Sequence, residues 1–267
     1  MFITFLSDFG LVDDFVGTCH AVIKRIAPAA QIIDLTHGIQ PQAILQGALV
    51  LANTIPYAPS GVHLAVVDPG VGSGRRALAL ESGGGRRFVG PDNGLLVPAA
   101  EGLGGIVAAH ELTNPEYALT PVSATFHGRD VFSPAAAHLA LGLPLAELGP
   151  PIDPEALVRL DVPTPELTAS RIRASCLYVN RFGNIQLNLS RAHLEQAGIV
   201  PGRRLRLLVA GKPQQAVAAR TFADAEAGEL ILYEDSYRNV SLAVSRGNAA
   251  ETLGATAGTE VELEVPA

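Results

Sequence analysis

Val66-Val67-Asp68-Pro69-Gly70-Val71-Gly72-Ser73-Gly74-Arg75-Arg76 carries an apolar strand into a glycine-rich turn and on into Ala77-Leu78-Ala79-Leu80-Glu81, which alternates as a strand does. A glycine loop that cradles a dinucleotide must instead open a helix whose N-terminal amides face the phosphates. The glycines at 70, 72 and 74 therefore do not mark a Rossmann NAD site. They mark a turn that can take positive φ and approach a ligand closely, with an acid at one end and two arginines at the other.

Upstream of this turn the pattern is regular. Residues 2–7 read as a buried strand, and Asp13 and Asp14 precede a helix over 15–26 that Pro28 ends. A strand at 31–36, a helix over 43–53 and a strand at 62–67 follow. This β-α-β-α-β order predicts an α/β domain with a largely parallel sheet flanked by helices. Ligands of such sheets lie beyond the carboxyl ends of the strands, where Asp8 and Asp68 both fall.

Downstream, strands are predicted at 76–82, 86–90 and 106–112, with a helix over 130–141. Prolines at 144, 150, 151, 154, 163 and 165 then predict a linker with one short helical turn near 155–157. Beyond it, alternating runs at 170–178, 204–209, 215–219, 229–233, 240–244 and 260–265, with one helix at 191–198, predict a smaller β-barrel-like domain. The expected organisation is an α/β N-terminal domain over 1–150, a proline-rich linker over 151–167 and a β-rich C-terminal domain over 168–267.

Composition narrows the function classes. A chain of 267 residues, 48% hydrophobic, can bury two cores. A formal charge of −7 with only 19 basic residues opposes a nucleic-acid partner, whose phosphates need a concentrated basic face. Cys19 and Cys176 are widely spaced, so neither a disulfide framework nor a zinc cluster is indicated, and a reducing cytoplasm fits. Residues 1–8 do not read as a secretory leader, and no apolar run approaches the roughly 20 residues of a membrane span. The expectation is a soluble cytoplasmic protein with no membrane partner.

Chemistry-bearing residues cluster at element boundaries, where side chains can enter a cleft without breaking a core. The clusters are Ser7-Asp8-Phe9-Gly10 with Asp13-Asp14, Asp68 to Arg75, Phe126-His127-Gly128-Arg129-Asp130, and Asn180-Arg181-Phe182-Gly183-Asn184. Together with Asp13-Asp14-Phe15-Val16-Gly17, Ile33-Asp34-Leu35-Thr36-His37, Gly90-Pro91-Asp92-Asn93-Gly94 and the continuation to Pro134, they form an ordered series over most of the chain. That series resembles the S-adenosyl-L-methionine hydrolase (adenosine-forming) family, relatives of the fluorinases and chlorinases.

The resemblance implies hydrolysis of S-adenosyl-L-methionine to adenosine and methionine, with no metal and no cofactor beyond the substrate. It implies a catalytic trio of Asp68, Arg75 and His127. Physically, a carboxylate held by a guanidinium fork and an imidazole could orient a water and help take its proton. Which of them is the base stays open at this level. The resemblance further implies that Asp8 accepts the ribose hydroxyls, that Asp13 meets the methionine end, and that Phe126 and Gly128 line the site. From the C-terminal domain it implies Asn184 on adenine, Phe222 against the purine, and Ser236 and Arg246 near methionine and adenine. It also implies a homotrimer with sites between subunits.

Two departures matter. Asn180 stands where relatives commonly carry an aspartate expected to face the methionine ammonium. Halogenating relatives are expected to lack the Asp and His of the trio and to place a small hydroxyl residue where Gly128 stands. The alternatives carried forward are a 5′-halogenase of the same superfamily and a non-catalytic S-adenosyl-L-methionine or adenosine sensor; a metal-dependent hydrolase lacks a ligand spacing in the sequence. His37 is expected to brace a turn, and His20 to lie packed or partly exposed on a helix.

Overall fold

The computed structural model describes residues 1–265 of the 267, and the chain divides into two compact units, Met1–Leu160 and Asp161–Ala267. The first unit opens with β1 (Phe2–Ser7), α1 (Phe15–Ile26), β2 (Gln31–Thr36), α2 (Ile44–Thr54) and β3 (Val62–Val66). It continues with β4 (Ala77–Ser82), β5 (Arg87–Pro91), α3 (Val97–Glu101) and β6 (Ile106–Glu111). A five-residue π-helical turn, Gly128–Phe132, leads into α4 (Ser133–Ala140). The strands form one sheet in the order β2-β1-β3-β5-β4-β6. β2, β1, β3 and β5 are mutually parallel, and β4 runs against both β5 and β6.

Both faces of this sheet are covered, which is why β1 and β3 read as nearly continuous apolar runs rather than alternating ones. On one face Ile3, Phe5, Leu64 and Val66 pack with Val16, Cys19 and Ile23 of α1 and with Phe132, Ala135 and Leu139. On the other, Leu6, Ala65, Val67 and Phe88 pack with Ala48 and Leu51 of α2 and with Val97 and Ala100 of α3. Each fully buried Phe or Leu contributes about 1.5–3 kcal/mol. The chain leaves β1 for β2 on one side and crosses back to β3 on the other, so a crevice opens at the carboxyl ends of β1 and β3.

β4 does not sit beside β3: β5 lies between them, so the 67–76 turn arches over the end of β5. The expected helix over 130–141 is regular only from Ser133, with Pro134 in its first turn and the wider π turn before it. The proline-rich stretch expected to act as a linker from 151 is packed on the first unit up to Leu160. The backbone N–H of Ile152 donates to the Ala109 carbonyl, that of Val158 to Asp92 Oδ1, and Leu157 is buried.

The second unit contains β7 (Glu166–Leu167), β8 (Arg171–Val179), β9 (Ile185–Ser190), α5 (Arg191–Gln196), β10 (Arg204–Val209) and β11 (Lys212–Ala219). β12 (Leu230–Glu234), β13 (Asn239–Val244), α6 (Ala249–Leu253) and β14 (Glu260–Glu264) complete it. β8 pairs with both β9 and β14, closing a seven-stranded barrel through β13, β12, β11 and β10. Alternation fills it: Leu205, Leu207 and Val209 point inward with Ile172, Leu187, Leu232, Leu242 and Leu263. Among the described residues no helix is long and apolar enough to cross a membrane. Cys19 and Cys176 are buried free thiols whose titration burial pushes up to about 11 and about 12.

Candidate active site

Strand geometry separates the two arginines of the glycine turn. Arg75 turns toward Asp68: its Nε donates to Oδ1 at 2.9 Å and to Oδ2 at 3.1 Å, and its Nη2 donates to Oδ2 as well. Arg76 turns the other way, with Nε 2.8 Å from Asp92 Oδ2 and Nη2 2.6 Å from the Ala156 carbonyl. Asn93 Nδ2 donates to the Val67 carbonyl at 2.8 Å. The Gly90–Gly94 motif thus braces the turn from β5 through Arg76, while Arg75 is committed to Asp68. At Gly72, φ is +77° and a Cβ would run into the Ala124 carbonyl, so the turn can lie against the 124–128 segment only as glycine.

That segment brings His127 to the pair. Arg75 Nη2 lies 2.8 Å from His127 Nδ1. A guanidinium can only donate, so Nδ1 accepts and the proton of the neutral imidazole is assigned to Nε2. Burial first, and the Arg75 charge second, hold His127 below the ordinary histidine range. Arg75 also lies over the Phe132 ring, 5.1 Å from its centroid. One guanidinium therefore fixes both a carboxylate and an imidazole, from a turn after β3 and the entry to a π turn.

A cleft of about 420 Å³ opens beside this network, lined by Asp8, Phe9, Phe15, Gln42, Asp68 and Thr125 with Phe126, His127 and Gly128. Asp8 projects from the end of β1, and its Oδ2 accepts the Gln42 backbone N–H at 2.8 Å. Phe126 stands edge-on to Phe9 and Phe15, with centroids 5.9 and 5.1 Å away, forming an aromatic wall. Gly128 is buried against that wall: a Cβ would come within 2.9 Å of Phe9 Cζ. Asp13 does not line the cleft; it is exposed in the turn before α1, where Asp14 takes the N-cap position without a side-chain cap bond.

In the second unit, Asn184 and Phe222 meet around a residue that sequence reasoning missed. Asn184 Nδ2 donates to the Tyr233 hydroxyl at 3.3 Å, and the Phe222 ring lies 5.1 Å from that of Tyr233. Burial pushes the Tyr233 phenol up to about 12. An aromatic inside an alternating strand reads as core, so no local signal sets Tyr233 apart. Asn180 Oδ1 accepts the backbone N–H groups of Phe182 and Asn184, at 2.9 and 3.1 Å, and so shapes the turn that presents Asn184. Ser236 and Arg246 lie on exposed turns, Arg246 with φ +57°.

The sequence matches the model of the SAM hydroxide adenosyltransferase N-terminal domain over residues 3–149 and that of the C-terminal domain over 174–262. The chain belongs to the SAM hydroxide adenosyltransferase family. It is 51% identical over 261 residues to a Salinispora arenicola protein named (R)-S-adenosyl-L-methionine hydrolase, covering 98% of this chain and 97% of the relative. A fluorinase of Nocardia brasiliensis is more distant, at 30% identity over 98% of this chain and 96% of its own length. The crystal structure of an uncharacterized conserved protein from Thermotoga maritima superposes with a TM-score of 0.90 at 36% identity, covering 98% of this chain and 99% of that one.

For a SAM hydroxide adenosyltransferase family member, one further cluster was invisible in the sequence. His20, Asp34 and His37 come from the middle of α1, from β2 and from the residue after β2, and their donor atoms all lie within 4.8 Å of one another. A reading based on ligand spacing along the chain finds no such group, because a helix and a strand have to pack before it exists. Phe9 and Phe15 of the cleft were quoted within motifs but given no role, and Gln42 was not singled out.

Proposed function

We propose that the protein hydrolyses S-adenosyl-L-methionine to adenosine and L-methionine, water attacking the ribose C5′ in line with the departing thioether. The observation that carries this reading is the Asp68–Arg75–His127 network beside the cleft at the ends of β1 and β3. The hydrolase name of the 51% identical relative supports it. As the C5′–O bond forms, the C5′–S bond breaks and sulfur leaves with the bonding pair as a neutral thioether. No general acid is required, and the chemistry as written calls on neither metal nor organic cofactor.

The difficulty is the nucleophile, because neutral water attacks poorly. Asp68 Oδ2 accepts two Arg75 donors and Oδ1 only one, which leaves a lone pair on Oδ1 for the proton of the attacking water. His127 Nδ1 is occupied by Arg75, so its Nε2–H orients the water oxygen instead of taking the proton. Asp8 Oδ1 carries no bond from Gln42 and is placed to accept the ribose hydroxyls. Phe126, edge-on to Phe9 and Phe15, supplies with them an apolar wall that limits water near the sulfonium.

A halide is the less suited nucleophile. It brings a full negative charge next to Asp68, whereas water arrives neutral and gives up a proton, and Gly128 offers no hydroxyl to hold an anion. We further propose a cytoplasmic homotrimer in which Asn184, Phe222, Ser236 and Arg246 of one chain, with Tyr233 behind them, complete the cleft of its neighbour. Asp13 would meet the methionine end there. The support is the division of ligand candidates between the two units. Mixing Asp68→Ala and Asn184→Ala chains under subunit exchange should restore activity if sites are shared, and should restore none if each site is built within one chain.

The reaction itself is tested in oxygen-18 water, with and without chelator and with chloride or fluoride added. Adenosine labelled at its 5′-hydroxyl is expected under every condition. A halogenated nucleoside, or binding without turnover, would overturn the proposal.

A further inference from the structure

His20 Nε2 lies 2.9 Å from Asp34 Oδ1, and His37 Nε2 lies 3.1 Å from the same oxygen. Asp34 is therefore the hinge of a compact N, O, N triangle. None of the three residues lines the cleft, so the proposed reaction gives their facing donor atoms no chemical role. The three differ in exposure: the His37 side chain is 2% exposed, whereas those of His20 and Asp34 are 30% and 40% exposed. One ligand atom would be anchored in the core and the other two would be reachable from solvent.

The buried member is also unsatisfied. His37 Nε2 makes no hydrogen bond despite its nearness to Asp34, since proximity without alignment does not make one. A buried polar nitrogen in that state calls for an explanation, and a metal ion is a common one. The other ring nitrogen is already engaged: His37 Nδ1 lies 2.7 Å from Ser7 Oγ. With Nδ1–H donating to Ser7, the Nε2 lone pair points at the cluster, which is how a second bond orients a ligating histidine. Phe5 packs edge-on to the His37 ring at 4.7 Å and holds its plane.

We propose that His20 Nε2, Asp34 Oδ1 and His37 Nε2 form a structural binding site for a zinc-class divalent transition metal, with a solvent water as fourth ligand. The edges of a tetrahedron of zinc ligands are about 3.3 Å for metal–ligand bonds of about 2.0–2.1 Å, so the pairs at 2.9 and 3.1 Å need to open by a few tenths of an ångström. The two histidine nitrogens, within 4.8 Å of each other, settle to the same edge by a turn of the partly exposed His20 ring. Two imidazoles and one carboxylate suit zinc or cobalt; calcium and magnesium favour all-oxygen sets. The metal would pin α1 to β2 and to the residue that follows it. It would also hold the loop that carries Asp8, because the Gly10 N–H donates to the His37 carbonyl at 2.8 Å.

The test uses full-length protein stripped with chelator and titrated with zinc chloride by calorimetry, then with cobalt chloride by visible absorption. Wild type should take up one equivalent per chain, give the intense absorption bands of tetrahedral cobalt, and melt at a higher temperature with zinc. His20→Ala and Asp34→Asn alter partly exposed side chains and should fold, yet each should weaken binding by at least about tenfold and remove the cobalt bands. Absence of stoichiometric binding in the wild type would overturn the site. Equal binding by wild type and both variants would overturn it too, since the metal would then be held elsewhere. These readouts are independent of turnover, so failure of the site and failure of the proposed reaction are distinguishable.

Discussion

Replacing Asp68 by asparagine removes a negative charge and one proton-accepting position while keeping the shape of the side chain. In the native site Arg75 meets both carboxylate oxygens; in the proposed hydrolysis the Oδ1 lone pair left over is the proton acceptor for water. An asparagine oxygen can still take one Arg75 donor, but its NH₂ then opposes the guanidinium, so one arm of the fork is lost. Loss of a positioned proton acceptor costs about 10²- to 10⁴-fold in kcat, equivalent to about 2.7–5.4 kcal/mol at about 1.36 kcal/mol per decade. KM should change little, because Asp68 acts on water and not on the nucleoside. His127→Gln is the paired variant: a glutamine can accept from Arg75 and still donate onward, so its loss should be at least tenfold smaller, on the order of one decade in total. The assay is steady-state adenosine production with substrate affinity measured separately. As pH rises, the residual Asp68→Asn rate should climb with the hydroxide concentration. Equal losses in the two variants, or a His127→Gln loss larger than that of Asp68→Asn, would refute the assignment of Asp68 as acceptor.

Three further outcomes follow from particular contacts. Gly128→Ser forces a Cβ to within 2.9 Å of Phe9 Cζ, so the aromatic wall must shift, stability should drop by about 1–3 kcal/mol in urea melts, and KM should rise; an unchanged KM and melt would contradict the packing. His63 is fully buried beside Arg86, and burial first, then the Arg86 charge, lower its pKa to about 4 from 6.5. Between those values the unfolded chain binds a proton that the native state does not, so stability is complete above about 6.5 and falls as pH drops, by up to about 3 kcal/mol. Urea melts across that window should give a flatter pH dependence for His63→Gln, and identical slopes would exclude the idea. Asn180→Asp keeps the oxygen that accepts from Phe182 and Asn184 and should leave the melt unchanged, whereas Asn180→Ala should lose about 1–2 kcal/mol; equal melts for all three would remove Asn180 from the turn.

Burial on both faces made the strands of the first unit legible, because β1 and β3 are nearly continuous apolar runs, each with an acid shortly after it, and the helices between them have a helical period. The same logic failed where pairing is decided at a distance. β9 alternates as Ile185-Gln186-Leu187-Asn188-Leu189, yet it was not expected as a strand between the Asn184 turn and α5. α6 is five residues long and rests on its Asn248 cap, too little sequence for a periodic signal. Asp68 and Arg75 were legible as a pair because seven residues and a turn link them. His127 was legible only as part of a motif, since it arrives from another part of the fold. The His20–Asp34–His37 triangle was not legible at all: its members read singly as a helix-face histidine, a strand acid and a turn brace, and only the docking of α1 beside β2 joins them.

The arch from β3 to β4 steps over β5, roughly two strand spacings or about 9.6 Å, and Asp68 and Arg75 stand at its opposite feet. Whether those feet meet depends on where β4 comes to rest along β5, with Ala77 opposite Pro91. A slip of β4 by one residue would turn Arg75 outward and send Arg76 toward Asp68, leaving a sheet that is still hydrogen-bonded. The salt bridge at the cleft is then a vernier for the sheet, reading the alignment of two strands as a yes or no in chemistry. Selection for turnover would act on hydrophobic residues such as Leu78 and Leu80 that never meet a substrate, because they set the scale against which the two charged groups are aligned.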